Sequence, residues 1–182
     1  ATYEDEGNPR KYPEGSQFHP KRRLAERFKA SFLITHPVLD GFDSVFVIEP
    51  DSFVTSRFPK DTLTRMAGKR FGFMDGLDGA PVQGEASHAL MDVFQRMLVS
   101  GGGSWNVSHA SLVGGPDAPA ATAPYHGSLV ALSVRFFRRP EYAELVRRVD
   151  AVGGFFLHGW SSFAVQRFFA ACFVREEDVV VF

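Results

Sequence analysis

Ser44-Val45-Phe46-Val47-Ile48-Glu49-Pro50-Asp51 is the stretch on which the fold turns. Residues 45–48 are β-branched or aromatic and favour an extended chain, and Glu49-Pro50-Asp51 stops it, because proline lacks the ladder N–H and Asp suits turns. The segment predicts a buried strand running into a loop that carries two carboxylates. At the carboxyl end of a strand, Glu49 and Asp51 are hard oxygen ligands of the kind that hold Mg²⁺ or Mn²⁺ beside a diphosphate. On spacing alone, plain turn chemistry is the commoner reason for these three residues.

Upstream, Leu24, Phe28 and Phe32 recur at helical spacing behind Pro20, a good first helical residue, and predict one amphipathic helix ended by His36-Pro37. Downstream the pattern predicts a short helix over Pro59 to Met66 and a strand over Arg70 to Met74. A longer helix follows over Glu85 to Leu98, closed by Gly101-Gly102-Gly103. Gly114 to Pro124 reads as a surface loop. Leu129 to Phe137 reads as a strand, Pro140 to Val149 as a helix with Leu145 and Val149 inward, Phe163 to Phe173 as a very apolar helix, and Val179 to Phe182 as a last strand. Strands alternating with helices imply a layered α/β domain, residues 20–182, behind an irregular lead-in, residues 1–19. In such a domain ligands sit beyond the carboxyl ends of the strands.

The composition narrows the function classes. The 182 residues are 45% hydrophobic and 23% charged, enough for one domain with its own core. Lys+Arg 20 against Asp+Glu 21 leaves a net charge of -1, with no field to recruit nucleic acid. Phe, at 19 residues against 4 Tyr and 2 Trp, points to a core filled by aromatic bulk. Cys172 is the only cysteine, so no disulfide closes within the chain, and its apolar neighbours predict a buried thiol. The chain starts at Ala1 and stops at Phe182 inside an apolar run, which reads as a piece of a longer protein. Asn106-Val107-Ser108 matches a glycosylation acceptor.

Two further places could carry chemistry. Asp75 and Asp78, in Phe71-Gly72-Phe73-Met74-Asp75-Gly76-Leu77-Asp78-Gly79, follow a predicted strand, and the glycines would let backbone approach a ligand. Gly153-Gly154-Phe155-Phe156-Leu157-His158-Gly159-Trp160 offers His158 as acid, base or ligand and Trp160 as a platform for a sugar ring, although a lone His is more often only hydrogen-bonded and a Trp more often core. No P-loop, dinucleotide fingerprint, nucleophile elbow or zinc spacing is present.

Taken in order, these segments resemble the family-15 glycosyltransferases, the fungal Golgi α-1,2-mannosyltransferases. Arg27-Phe28, His36-Pro37-Val38-Leu39 and Phe46-Val47-Ile48-Glu49-Pro50-Asp51 match the family's Arg-Phe-Phe, Lys-His-Pro-Leu-Leu and Trp-Arg-Val-Glu-Pro-Asp without a gap. Phe71-Gly72-Phe73, Arg135-Phe136-Phe137-Arg138-Arg139-Pro140-Glu141-Tyr142 and the segment from Gly153 to Trp160, with the helix after it, are similar to the family's later motifs. The resemblance implies a GT-A-like (nucleotide-diphospho-sugar transferase) domain, a mixed sheet flanked by helices, with its first nucleotide-binding strands before Ala1. It also implies a GDP-mannose donor, Mn²⁺ or Mg²⁺ at Glu49, Asp51 and Asp75 beside the donor, a mannose-bearing glycan acceptor, and residence in the Golgi with any membrane anchor upstream. This chain departs from the family where it has Gly79 in place of a carboxylate, with Asp78 one position earlier as its substitute. It departs again at His158-Gly159, Ser161-Ser162 and Gln166. Those departures leave a non-catalytic glycan- or nucleotide-binding module as the alternative, and a ligand-free structural domain as a third reading.

Overall fold

The computed structural model describes residues 19–49, 61–75, 85–100 and 125–182. Four strands form one mixed sheet: β1 (Ser44–Ile48), β2 (Phe71–Asp75), β3 (Tyr125–Ser133) and β4 (Val179–Val181), in the order β1-β3-β2-β4. β3 runs antiparallel to both β1 and β2, and β2 pairs with β4 in parallel. β1, β2 and β4 therefore all point the same way, and their carboxyl ends share one end of the sheet. Register places Val47 and Phe73 on either side of Val130, after which the β2 ladder slips so that Met74 faces His126. A bulge of this kind re-aims a strand end.

Alternation along the strands sorts the core. Val45, Val47, Phe71, Phe73, Val130 and Leu132 point to the larger cluster, built with α4 (Glu85–Ser100), α6 (Pro140–Ala151) and α7 (Ser162–Phe173). Phe46, Ala131 and Val180 point to the opposite face, where Met66 of α3 (Thr62–Met66) and Phe182 meet them. By parity Glu49, just past β1, continues the helix-covered face.

Most expected elements are found close to their expected limits, with Leu145 and Val149 fully buried on α6. Two are corrected. The strand expected over Leu129 to Phe137 starts earlier, at Tyr125, and ends at Ser133, and Val134–Phe137 turn into a short helix, α5. Adjacent Phe136 and Phe137 are both buried, with their rings edge-on at 5.2 Å, which an alternating strand cannot achieve on one face. The helix expected from Pro20 does form, as α1 (Pro20–Arg27), but it passes through a π-helical turn (Phe28–Phe32) into α2 (Leu33–Thr35). Its Leu24, Phe28 and Phe32 stripe is exposed, while Arg23, Ala30 and Ile34 face inward. The expected loop over Gly114 to Pro124 and the Asn106 acceptor lie outside the described residues. No described helix is long and apolar enough to cross a membrane.

Cys172 is buried on α7, as its neighbours predict, and burial pushes its thiol up to about 12. At pH 8 its thiolate fraction is then roughly 10³-fold below that of a free cysteine. A maleimide or Ellman's reagent is expected to leave the folded chain unlabelled and to titrate its cysteine only in denaturant. Prompt labelling of the native protein would contradict this packing.

Candidate functional site

The π-helical turn explains how α1 reaches the end of β1. Widening the turn sends the Leu33 N–H to the Phe28 carbonyl, so neighbouring carbonyls lose their usual partners. Gln166 of α7, 3% exposed, donates from Nε2 to the Lys29 carbonyl at 3.3 Å and meets that need. Arg27, one residue before the turn, makes a two-pronged contact with Asp150 near the end of α6, Nε to Oδ1 at 2.9 Å and Nη2 to Oδ2 at 2.7 Å. The hydrogen bonds it donates to Asp150 hold the Arg27 guanidinium above its ordinary pKa. The segment is thus pinned to α6 and α7 on either side of Lys29.

Lys29 places its ammonium between two carboxylates. Its Nζ lies 2.5 Å from Glu49 Oε1 and 2.5 Å from Glu26 Oε1. The other oxygen of Glu26, Oε2, accepts from the backbone N–H and the hydroxyl of Ser162, each at 2.7 Å. A carboxylate on the first residue of α7 suits the positive end of that helix. The side chains of Glu26 and Lys29 are 13% exposed and that of Glu49 is 29% exposed, so the chain of contacts Ser162–Glu26–Lys29–Glu49 is largely shielded from water. Shielding of this order strengthens such contacts over fully exposed ion pairs.

Of the residues singled out from the sequence, Glu49 lies just past the carboxyl end of β1 and, by the alternation of that strand, on the helix-covered side. Asp75 is the last residue of β2, at the same end of the sheet but about 10 Å across it and further along, since Ile48 faces Leu129 of β3 while Asp75 faces Tyr125. Asp51 and Asp78 lie outside the described residues. His158 and Trp160 sit in the turn between α6 and α7, with rings stacked at 4.9 Å and 17°. Trp160 is a core side chain at 4% exposure, packed over Gly154. The glycine pair before it ends a helix: Gly153, at φ 72, and Gly154 send their N–H groups to the Asp150 and Val149 carbonyls. Among the described residues, no three His, Cys, Asp or Glu side chains come together as a metal cluster would require.

The residues that the structure joins to Glu49, namely Lys29, Glu26 and Ser162, share no sequence motif with it. Only helical phasing hinted at them: Glu26 and Lys29 stand three apart on one helix face, a spacing that pairs opposite charges.

No family profile matches the chain. Over 173 residues it is 24% identical to the protein named probable mannosyltransferase YUR1 of Saccharomyces cerevisiae, a match covering 86% of this chain and 40% of that protein. Its fold superposes on the crystal structure of core-mannan synthase A (CmsA/Ktr4) from Aspergillus fumigatus in its Mn/GDP form, with a TM-score of 0.71 and 16% identity. That match spans 91% of this chain and 47% of the other. It also superposes on the mannosyltransferase Ktr4p of S. cerevisiae in complex with GDP, with a TM-score of 0.72 and 18% identity over 88% of this chain and 43% of that one. The chain therefore spans less than half the length of each of these relatives. One match in sequence and two in fold bear out the resemblance to the family-15 glycosyltransferases, and the described sheet with its helices is a part of their GT-A architecture.

Proposed function

We propose that the chain is a mannosyltransferase-like domain, which in the protein that carries it moves a mannosyl residue from GDP-mannose to a hydroxyl of a mannose-bearing glycan, in protein glycosylation within the Golgi. The observation that carries this reading is the arrangement of strand ends: Glu49 after β1 and Asp75 at the end of β2 share one end of the sheet, where α/β folds bind ligands. The likeness to mannosyltransferases, two of them solved with GDP, supports the choice of donor.

A Mn²⁺ ion at this place asks for a near-octahedral shell of oxygens. Glu49 offers one carboxylate, and Lys29 already holds it. The described residues do not fit such an ion while Lys29 stays, so no step of transfer is routed through a metal here. That contact favours a second reading, a domain that binds the nucleotide sugar or glycan without turning it over, because charge on the departing diphosphate would go less fully offset.

Calorimetry and acceptor assays on the full-length protein separate the two. GDP at a hundredfold excess over its Kd is expected to add about 2.7 kcal/mol to stability, read as a rise in Tm. Radiolabel passing from GDP-mannose to a mannoside supports transfer. Binding without transfer supports the second reading, and neither binding nor transfer overturns both.

A further inference from the structure

The ammonium of Lys29 stands 2.5 Å from an oxygen of Glu26 and 2.5 Å from an oxygen of Glu49. One ammonium that donates to both carboxylates bridges the two groups, with its charge placed where a bound cation's would be. We propose that Lys29 is a built-in cation that replaces the divalent metal at the carboxyl end of β1, so that Glu49 of this chain positions an ammonium and does not ligate Mn²⁺.

Three features of the structure argue for it. Lys29 is held at both ends, since Gln166 binds its carbonyl and Glu26, itself anchored on Ser162 at the start of α7, binds its ammonium. A tethered cation that is already oriented loses little freedom on pairing, whereas a free ion must be drawn from solution and stripped of water. Charge points the same way. Two carboxylates facing one another with little water between them need a positive charge in the gap, and Lys29 supplies it without any ion. Finally, an arriving Mn²⁺ would have to take Glu49 from the ammonium while Glu26 keeps it, which sets two positive charges side by side in a place largely shielded from water.

The consequence for the donor rests on the reading of this strand end as a diphosphate site: GDP binding by the protein would not depend on added metal. Mn²⁺ binding itself does not rest on that reading and can be measured without nucleotide.

Electron paramagnetic resonance of Mn²⁺ titrated into the full-length protein tests the proposal. Wild type and Glu49→Gln are expected to bind Mn²⁺ alike, within twofold, because no ion uses Glu49. Lys29→Met removes the ammonium and is expected to gain a Mn²⁺ site at least tenfold tighter than anything in wild type, and the gain should vanish in the Lys29→Met, Glu49→Gln double variant. Lys29→Gln repeats the test with a polar side chain should the methionine variant fold poorly. A tenfold loss of Mn²⁺ affinity on Glu49→Gln in the wild-type background would overturn the proposal and needs no Lys29 variant. So would folded Lys29 variants that gain no site. The Tm shift from GDP, compared in EDTA and in Mn²⁺, reports on the donor separately. No shift in either buffer sinks the donor reading while the Mn²⁺ comparison still decides the role of Lys29.

Discussion

Phe169→Ala is expected to lower the unfolding free energy by about 3–5 kcal/mol, close to the whole stability of many domains of this size. The ring is fully buried on α7 and, among the described residues, packs on Phe136 at 5.1 Å, Phe137 at 5.7 Å, Tyr142 at 5.1 Å and Phe173 at 4.9 Å. Those partners come from α5, α6 and α7, so the cavity left by truncation opens where three elements meet. None of the three can move in without dragging its own contacts. Phe169→Leu keeps most of the volume and is expected to cost less than half as much. Urea unfolding followed by circular dichroism measures both. A loss below about 1.5 kcal/mol for the alanine variant would mean that the core can collapse around the gap, and that the aromatic cluster is not the centre of the fold.

Gly154→Ala is the second large effect, expected to destabilise by about 1–3 kcal/mol through crowding. A methyl at this position would press on Trp160 Cε3 closer than carbon atoms approach, and would stand 2.8 Å from both Trp160 Cζ3 and Val149 Cγ1. The indole has little room to move, because His158 stacks on it and the backbone N–H of Trp160 is tied to the Gly154 carbonyl. Gly68→Ala is the control. There the backbone is left-handed, at φ 74, but none of the described residues lies within 4 Å of the added carbon, so the conformational cost of about 1 kcal/mol is what remains. Equal losses at the two positions would refute the packing account, as would an unmoved tryptophan emission in Gly154→Ala.

How far the sequence could be read depends on what each pattern encodes. α6 was legible because its buried residues Leu145, Val146 and Val149 repeat at helical spacing between a proline at the start and glycines at the end. β1 was legible from β-branching and a proline-marked stop. The inward face of α1 was not, because hydropathy ranks Leu24, Phe28 and Phe32 above Ala30, while a π-helical turn shifts the phase and brings Ala30 into the core. The tail of β3 was misread because a run of apolar residues does not tell a buried helix from a strand. At the site, Glu49 was found through its place after a strand. Lys29 was missed because its pairing with Glu49 is made by tertiary packing across unrelated elements, which no local spacing reports. The glycines at 153 and 154 stood out only as flanks of a segment that could carry chemistry, with no sign of what they do for the backbone. They are a helix terminus, and that ambiguity is built into glycine, which serves turns and close approaches equally well.

The parallel pairing of β2 with β4 has a bearing on how the chain comes to its final form. Phe71 finds its neighbour in Val179, far along the polypeptide, and only after α4 to α7 have been traversed. A contact of such long sequence separation closes a large loop before it returns any stabilisation, so the last strand is expected to dock late and to slow the overall reaction. During synthesis on the ribosome, β2 must wait with one flank unpaired until the residues through Phe182 have emerged, a window in which a chaperone or a second nascent chain would find an open ladder.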